Sequence, residues 1–251
     1  MGKENHGRRI YMWSGPRNVS TALMYSFAER PDTRVVDEPL YAHYLRVSGA
    51  QHPGRNEILA GMETDGATVM QTLASGKIDR PVLFAKQMAH HLLDVDLAWL
   101  EAADNILLIR DPREMLPSLA EVLGEVTLRD TGMDRQVELV RHLEGRGLKP
   151  FCIDARQLLL DPRGVLTQVC QRLDLEFSPS MLAWRTGPRP EDGIWARHWY
   201  ASVHRSTGFN PWRETHRDMP DQLTALYDEC RTLYEFLYER AIRAPGAKDH
   251  D

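Results

Sequence analysis

Residues 8–21 read RRIYMWSGPRNVST, and this stretch decides the fold. Its apolar part, residues 10–13, predicts a short buried strand, and residues 20–29 predict a helix. A tight loop that joins a strand to a helix binds anions, because the first N–H groups of the helix have no partners within it. Arg17 adds a cation to this loop, and Ser20 and Thr21 add hydroxyl donors. The stretch therefore predicts a phosphate or sulfate site.

The rest of the chain alternates between strand-like and helix-like segments. Further strands are predicted at 34–37, 81–86, 105–110 and 150–154, and helices at 40–47, 97–102, 113–123, 133–144, 164–173 and 220–242. This alternation predicts an α/β fold: a single-domain three-layer α/β/α architecture around a central parallel sheet of about five strands. We expect one domain over residues 1–251, with its core in 8–175 and a C-terminal loop and helix in 176–243.

Composition argues against several classes of function. The 251 residues carry a net charge of −5, which argues against non-specific binding of nucleic acid. The cysteines, Cys152, Cys170 and Cys230, have no paired spacing, so neither a disulfide framework nor a zinc site is expected. We expect a cytoplasmic protein without a membrane span, because no signal-peptide core or long apolar run is present. The oligomeric state is open between a monomer and a homodimer.

A second candidate anion site follows the fourth predicted strand. Residues 105–118 read NILLIRDPREMLPS, with Arg110 at the carboxyl end of the strand and Ser118 on the next helix. Each residue alone is also typical of an ordinary strand end or helix start. Ligands of parallel sheets bind beyond the carboxyl ends of the strands, so the pair is expected on the same side as the first loop.

Together the two segments resemble the sulfotransferases that use 3′-phosphoadenosine 5′-phosphosulfate (PAPS). In that family a loop of the type Pro-Lys/Arg-Ser-Gly-Thr/Ser-Thr binds the 5′-phosphosulfate, and PRNVST at 16–21 matches it. An Arg followed eight residues later by a Ser binds the 3′-phosphate, as Arg110 and Ser118 are spaced. Residues 154–162, DARQLLLDP, resemble a later strand-and-helix region of the family. The resemblance covers 8–175 and implies a P-loop NTPase-like fold, PAPS as donor and no required metal.

The resemblance also implies which residues hold the donor. They are Gly15, Pro16, Arg17, Asn18, Val19, Ser20, Thr21, Arg110 and Ser118. Asn18 and Val19 stand where the family has a Ser-Gly pair, and no aromatic residue follows Thr21. With these departures, the chain resembles an outlying bacterial-type branch of the family.

Sulfuryl transfer needs a cation at the leaving phosphate and a base at the acceptor. Arg17 suits the first role because a guanidinium stays protonated. Glu38, at the end of the second predicted strand, is the first candidate base, and the resemblance supports it because family members that act on sugars often have a Glu there. A strand-end carboxylate in an ion pair is the alternative for Glu38. His43, His90 and His91 are further candidate bases.

The acceptor is predicted to be a hydroxyl group on an unidentified small molecule, sugar or lipid. The residues predicted to contact it are Lys86, His43, His90, Trp195 and His198. Lys86 closes the third predicted strand, where a solvated lysine is the alternative. The aromatic residues of the irregular segment 187–217 are expected either to line a pocket or to fill the core.

Two other functions compete with this interpretation. A P-loop small-molecule kinase is the first, but its loop needs a lysine before the Ser/Thr, and no lysine lies between Lys3 and Lys77. A non-catalytic nucleotide- or anion-binding homologue is the second. Val19 motivates it, because a β-branched residue replaces the glycine that lets the backbone approach a ligand closely.

Overall fold

The centre of the protein is a sheet of six parallel strands. The computed structural model describes residues 7–214 and 218–245. Its strands lie in the order β2-β3-β1-β4-β5-β6, and every neighbouring pair is parallel. Their bounds are Arg8–Ser14 for β1, Thr33–Asp37 for β2, Val82–Met88 for β3, Asp104–Ile109 for β4, Phe151–Asp154 for β5 and Ala241–Ile242 for β6.

Helices cover both faces of this sheet. They are α1 (Ser20–Ala28), α2 (Tyr41–Ser48), α3 (Arg55–Gly61), α4 (Gly66–Ser75), α5 (Pro112–Leu123), α6 (Leu128–Thr131), α7 (Met133–Gly145), α8 (Ala155–Leu160), α9 (Pro162–Arg172), α10 (Ala196–Trp199) and α11 (Thr224–Tyr238). Short 3₁₀ turns lie at Ala89–His91, Leu97–Ala102, Pro179–Leu182, Val203–Arg205 and Asp221–Leu223. No helix in the described ranges is long and apolar enough to cross a membrane.

Strand β1 contributes to the core on both sides of the sheet. Successive side chains of a strand point to opposite faces. Ile10 and Met12 are fully buried with the apolar residues of α1 and α9. Tyr11 and Trp13, equally buried, pack with residues of α4 and α7 instead. A strand that is buried on both faces has a continuous run of apolar residues in its sequence. The apolar residues 10–13 therefore predict β1.

The strand order sets the position of the functional loops. Strand β1 lies between β3 and β4, with Ser14 opposite Met88 on one side and Leu108 on the other. Asp37, at the end of β2, is paired with Lys86 of β3. The loops after β1, β2, β3 and β4 therefore meet at one edge, where ligands of such sheets bind.

The predicted parallel α/β architecture is confirmed, with one strand more than expected. Residues 220–242 were predicted to be helical throughout. Instead α11 ends at Tyr238, and Ala241 and Ile242 pair with Cys152 and Ile153 as β6. This strand is too short for a periodic pattern to reveal, and only its pairing with β5 defines it.

Several helices were not predicted, and one predicted helix takes another form. The segment 97–102 is a 3₁₀ helix, and α3, α4 and α8 lie in segments for which no helix was predicted. Helix α4 had a readable signal, since Asp65 caps it and Val69, Met70 and Leu73 form its buried face. The predicted irregular segment 187–217 contains α10, and its last residues, 215–217, lie outside the described residues.

Asp154, at the end of β5, is buried and begins α8. Its carboxylate accepts hydrogen bonds from the backbone N–H of Gln157 at 3.0 Å and from the hydroxyl of Tyr234 at 2.9 Å. Burial nevertheless raises the pKa of Asp154 to about 6, and the nearby carboxylates of Asp111 and Glu114 add to the rise. The fold therefore favours the protonated form of this side chain.

Replacing Asp154 by Asn is expected to stabilise the fold at neutral pH. The pKa in the fold, about 6, lies above that of an unfolded aspartate, so the stability due to protonated Asp154 is lost as the pH rises from about 4 to about 6. The Asn side chain stays neutral and keeps an acceptor for Gln157. The difference in Tm between the variant and wild type is therefore expected to become more positive as the pH rises from about 4 to about 6. A difference that is constant with pH would contradict this assignment.

Candidate active site

A cavity of about 440 Å³ opens at the carboxyl edge of the sheet. The loop between β1 and α1 forms one wall, and Glu38 and Lys86 lie at its floor. Arg110 lines it from the end of β4. The opposite walls come from α2, the turn Ala89–His91, helix α5 and the segment around Tyr200. The cavity is thus the point where the strand-end loops converge.

The loop between β1 and α1 is strained at Arg17. This residue has a φ of 53°, in the left-handed region that a side chain rarely adopts. Asn18 holds the turn in place: its amide donates to the carbonyl of Leu108 at 3.1 Å, and its oxygen accepts from the N–H of Val19 at 2.8 Å. Val19 has a φ of −89°, so its β-branched side chain meets no conformational conflict.

Gly15 is required by packing. A Cβ atom there would lie 2.6 Å from the carbonyl oxygen of Thr131, which is closer than such contacts occur. The glycine therefore lets α6 pack directly against the β1–α1 loop. Helix α1 begins at Ser20, and its first hydrogen bond runs from the N–H of Leu23 to the carbonyl of Val19. The N–H groups before Leu23 thus face the cavity as anion donors.

The two candidate anion motifs are in direct contact. The guanidinium of Arg17 donates from Nε to the hydroxyl of Ser118 at 2.9 Å. Arg110 donates from Nη1 to the backbone carbonyl of Arg17 at 2.6 Å, across 93 positions of the chain. Glu114 accepts from Nε of Arg110 at 3.1 Å and holds that side chain in place. Both arginines therefore belong to one site.

A buried group of four polar side chains lies beside this site. Lys86 is only 1% exposed, and its ammonium donates to Asp37 at 2.8 Å, to the hydroxyl of Tyr200 at 2.7 Å and to Glu38. The Tyr200 hydroxyl also contacts Asp37 at 2.8 Å and Glu38 at 3.4 Å. We call Asp37, Glu38, Lys86 and Tyr200 the buried quartet.

The environment of the buried quartet shifts the pKa of Glu38, Lys86 and Tyr200 upward. Burial raises the pKa of Glu38, and the carboxylate of Asp37 raises it further, against the opposing effect of Lys86. Burial alone would lower the pKa of Lys86, but Asp37 and Glu38 outweigh it and raise that pKa well above its usual value. Burial also raises the pKa of Tyr200. The site therefore holds an ammonium, a neutral phenol and a carboxyl group that readily takes up a proton.

The backbone presents Glu38 to the cavity in a constrained conformation. Glu38 has a φ of 39°, so both residues with the strongest predicted catalytic roles, Arg17 and Glu38, adopt the left-handed region. The N–H of Glu38 donates to the carbonyl of Lys86 at 2.8 Å. Gly193 donates to Asp37 at 3.2 Å and so ties the C-terminal irregular segment to the end of β2. Strain of this kind is found where surrounding contacts determine the geometry of a functional site.

Most of the predicted site residues line the cavity. They are Gly15, Pro16, Arg17, Asn18, Val19, Ser20, Thr21, Glu38, Lys86, His90 and Arg110. His91 lines it as well, 3.9 Å from Glu38, and Ser118 reaches the site through its bond to Arg17. Burial lowers the pKa of His90 to about 4 and lowers that of His91 well below its usual value, which leaves both imidazoles poor bases.

Three predicted acceptor contacts lie outside the cavity. His43 is buried, with Nε2 2.7 Å from the carbonyl of Leu93 and Nδ1 accepting from the N–H of Gly66. Trp195 is a core residue whose indole N–H donates to Tyr200 at 3.1 Å, so it supports the buried quartet. His198 is exposed and contacts Arg197. His43 lies on α2 and His198 on α10, and Trp195 directly precedes α10.

Several lining residues carried little or no signal in the sequence. In the sequence, Asp37 is recognisable only as an acidic residue at the end of a predicted strand, next to Glu38. Tyr200 lies in a segment without hydrophobic periodicity. Tyr41, Tyr44, His52, Asp130 and Trp199 also line the cavity. Within the described residues, no group of three or more His, Cys, Asp or Glu side chains is arranged to hold a metal ion.

Comparison with known proteins identifies relatives of this chain. The profile of the family described as "Sulfotransferase domain" matches residues 8–227. Two curated Arabidopsis thaliana proteins, branched-chain-amino-acid aminotransferase-like proteins 2 and 1, are 37% and 38% identical over 229 residues, or 91% of this chain. The chain spans 41% of the length of each of these relatives.

Solved structures share the fold at low sequence identity. The sulfotransferase domain of the Synechococcus PCC 7002 olefin synthase aligns with a TM-score of 0.55 and 15% identity, covering 93% of this chain and 98% of that one. A mouse sulfotransferase complexed with PAP aligns with a TM-score of 0.53 and 12% identity, covering 94% and 90%. A sulfotransferase from Alicyclobacillus acidocaldarius aligns with a TM-score of 0.51 and 12% identity, and the alignment covers 96% of this chain and 98% of that one.

Replacing Lys86 by Met is expected to destabilise the fold strongly. The substitution keeps the length of the side chain but leaves two buried carboxyl groups without their cation, at a cost of roughly 3–5 kcal/mol, or roughly 6–20 °C in Tm. Thermal unfolding measures the effect, and Lys77→Met, at an exposed position, is the matched control. Equal Tm values for Lys86→Met and wild type would show that the buried quartet does not hold the sheet edge together.

Proposed function

Because the chain belongs to the sulfotransferase domain family, we propose that it transfers a sulfuryl group from PAPS to a hydroxyl group of a small-molecule acceptor. The observation that carries this proposal is the direct contact of Arg17 with Ser118 and of Arg110 with the Arg17 backbone. One compact site thereby combines donors for two anionic groups. A neighbouring buried carboxyl group, Glu38, provides the base that the acceptor needs.

The residues present fit a donor with two separate anionic groups. The N-terminus of α1 and the hydroxyls of Ser20 and Thr21 would hold the 5′-phosphosulfate, from which PAPS supplies the sulfuryl group. Arg110 and Ser118 would hold the 3′-phosphate. The mouse sulfotransferase of the same fold is described as complexed with PAP, which is consistent with such a donor.

Arg17 is assigned to charge stabilisation at the reacting group. The oxygen that leaves sulfur gains negative charge, and a cation held beside it lowers the barrier. A guanidinium does not give up its proton, so Arg17 acts through its charge. Its bond to Ser118 and the strained φ of 53° support this assignment, because they hold the guanidinium beside the residues proposed to bind the donor.

Glu38 is assigned as the general base. Its carboxyl lines the cavity, and burial raises its pKa towards values at which proton uptake is effective. The ammonium of Lys86 holds one oxygen of Glu38 in place, and the second oxygen lies on the side of His91. The proton of the acceptor hydroxyl would pass to this carboxylate as the oxygen attacks sulfur.

The two competing functions have less support. A P-loop kinase would need a lysine in the β1–α1 loop, where this chain has Arg17 followed by Asn18. A non-catalytic binding module has no need of a buried carboxyl group with a raised pKa facing the cavity. Val19, the residue that motivated the second alternative, has a negative φ of −89°, so its backbone does not depend on the glycine that the family has there.

Adenosine 3′,5′-bisphosphate is expected to raise the Tm by several degrees at millimolar concentration, because it binds only the folded state. Arg110→Ala is expected to remove most of this rise, since the variant lacks the cation assigned to the 3′-phosphate. Thermal-shift measurements test both, with Arg231→Ala, an exposed arginine on α11, as control. An unaltered rise in Arg110→Ala would remove Arg110 from the donor site, and no rise in wild type would oppose PAPS as donor.

Glu38→Gln is expected to lower turnover by about 10²- to 10⁴-fold, because the amide cannot take up the acceptor proton. The amide oxygen can still accept from Lys86, so the fold and the thermal shift with adenosine 3′,5′-bisphosphate should persist. Release of adenosine 3′,5′-bisphosphate from PAPS in the presence of a panel of alcohols and phenols measures turnover. Glu63→Gln, at an exposed acid, is the control, and full activity of Glu38→Gln would exclude Glu38 as the base.

A further inference from the structure

A group of aromatic side chains lines the cavity. We call these residues the ring wall, and they are Tyr41, Tyr44, His52, His90, His91 and Trp199. Their packing is ordered: His91 stacks on Tyr41 at a centroid distance of 4.7 Å and on Tyr44 at 4.6 Å. The indole of Trp199 is 38% exposed at the mouth of the cavity. The ring wall thus presents π-electron faces and edges to an acceptor.

The histidines of the ring wall add no positive charge. Burial lowers the pKa of His52 and lowers that of His90 to about 4. Burial and the neighbouring imidazoles lower the pKa of His91 well below its usual value. All three rings are therefore neutral at physiological pH and behave as polar aromatic surface.

Asp130 lies on the same side of the cavity as the ring wall. It belongs to α6, and a Cβ atom at Gly132, just after that helix, would lie 3.3 Å from the backbone nitrogen of His90. One carboxylate oxygen of Asp130 accepts from the N–H and the hydroxyl of Thr127 at 2.8 and 2.7 Å. Helix α6 also packs against the turn Ala89–His91, which carries His90 and His91 of the ring wall.

The charges that line the cavity are unevenly divided. Among the described lining residues the charged ones are Arg17, Glu38, Lys86, Arg110 and Asp130. Both arginines belong to the proposed donor site, and the ammonium of Lys86 is paired with the carboxyl groups of Asp37 and Glu38. Arg129, next to Asp130, is exposed and does not line the cavity, while its charge acts on Tyr44 against that of Asp130. The part of the cavity at the ring wall therefore has aromatic walls and a negative charge that no lining cation balances.

We propose that the acceptor is an alcohol or phenol that carries an ammonium group, held with its cation between Asp130 and the ring wall and its hydroxyl at Glu38. This inference rests on the proposed function and names its substrate class. Aromatic faces attract cations through the ring quadrupole, and ammonium ligands are recognised by such walls. An acceptor with a carboxylate or sulfate near its hydroxyl would instead meet Asp130 without a compensating cation.

The same charge assists the chemistry. The hydroxyl oxygen of the acceptor forms a bond to sulfur while the bond from sulfur to the leaving phosphate oxygen breaks, and the hydroxyl proton passes to Glu38. A neighbouring ammonium acidifies that hydroxyl and eases the transfer of its proton. The products are adenosine 3′,5′-bisphosphate and an amino-alcohol or aminophenol sulfate ester.

The test compares matched acceptors that differ only in charge. Choline is paired with 3,3-dimethylbutan-1-ol, its neutral isostere, and tyramine is paired with 4-propylphenol. In at least one pair the cation is expected to have a kcat/KM roughly tenfold or more above that of the neutral partner. Equal or better turnover of the neutral members in both pairs would overturn the inference, while the proposed sulfotransferase function would stand.

Variants test where the ammonium group of the acceptor binds. Asp130→Asn keeps an acceptor for Thr127 and is expected to reduce the preference for the charged member of a pair by about three- to tenfold, whereas Glu125→Gln, an exposed acid outside the cavity, should leave it unchanged. Trp199→Leu should reduce the same preference. Unchanged preference in both Asp130→Asn and Trp199→Leu would overturn the assignment.

A binding measurement separates failure of this inference from failure of the proposed function. The matched ligands are titrated against tryptophan fluorescence in the presence of adenosine 3′,5′-bisphosphate. Tighter binding of the charged members supports the acceptor class independently of turnover. If adenosine 3′,5′-bisphosphate itself gives no thermal shift and no acceptor is sulfated, the proposed function fails and the acceptor inference fails with it.

Discussion

The ammonium of Lys86, buried beneath the cavity, is the constraint on which the rest of the site depends. A charge that is 1% exposed is tolerated only when opposite charges and hydrogen bonds surround it. Asp37 and Glu38 supply the charges, and Tyr200 supplies a hydroxyl. Meeting this requirement brings together the ends of β2 and β3 and a segment that lies 162 residues beyond Glu38.

This arrangement links stability to function. The same contacts that neutralise Lys86 hold Glu38 at the cavity with a raised pKa, which is the property that a general base requires. Asp37 and Glu38 together supply one carboxyl group more than a single lysine balances. On the other side of β1, Asn18 bonds to Leu108 of β4 and Arg110 bonds to the backbone of Arg17, and both bonds hold the strained turn. The turn at Arg17 and the buried quartet are therefore held by strands on opposite sides of one central strand.

The predictions from sequence succeeded where local chemistry decides and missed where packing decides. The strand–loop–helix at residues 8–21 was readable because an apolar run, a tight turn and a helix start follow one another along the chain. Arg110 and Ser118 were readable because one directly follows β4 and the other lies on α5, the helix that comes next. His43 and Trp195 do not line the cavity, because the direction of a side chain depends on how its segment packs, and both bond to buried partners. The short strand β6 exists only through its pairing with β5.

By itself the sequence determined the parallel α/β architecture, the anion-binding loop and the pair Arg110 and Ser118, since each is set by residue type and spacing within a short segment. Tertiary structure alone decided that Arg17 contacts Ser118, that Lys86 is buried among Asp37, Glu38 and Tyr200, and that aromatic rings and Asp130 share one wall. These contacts join positions far apart in the chain. Their geometry follows from the order of strands in the sheet and from the burial of charge, which no local pattern records.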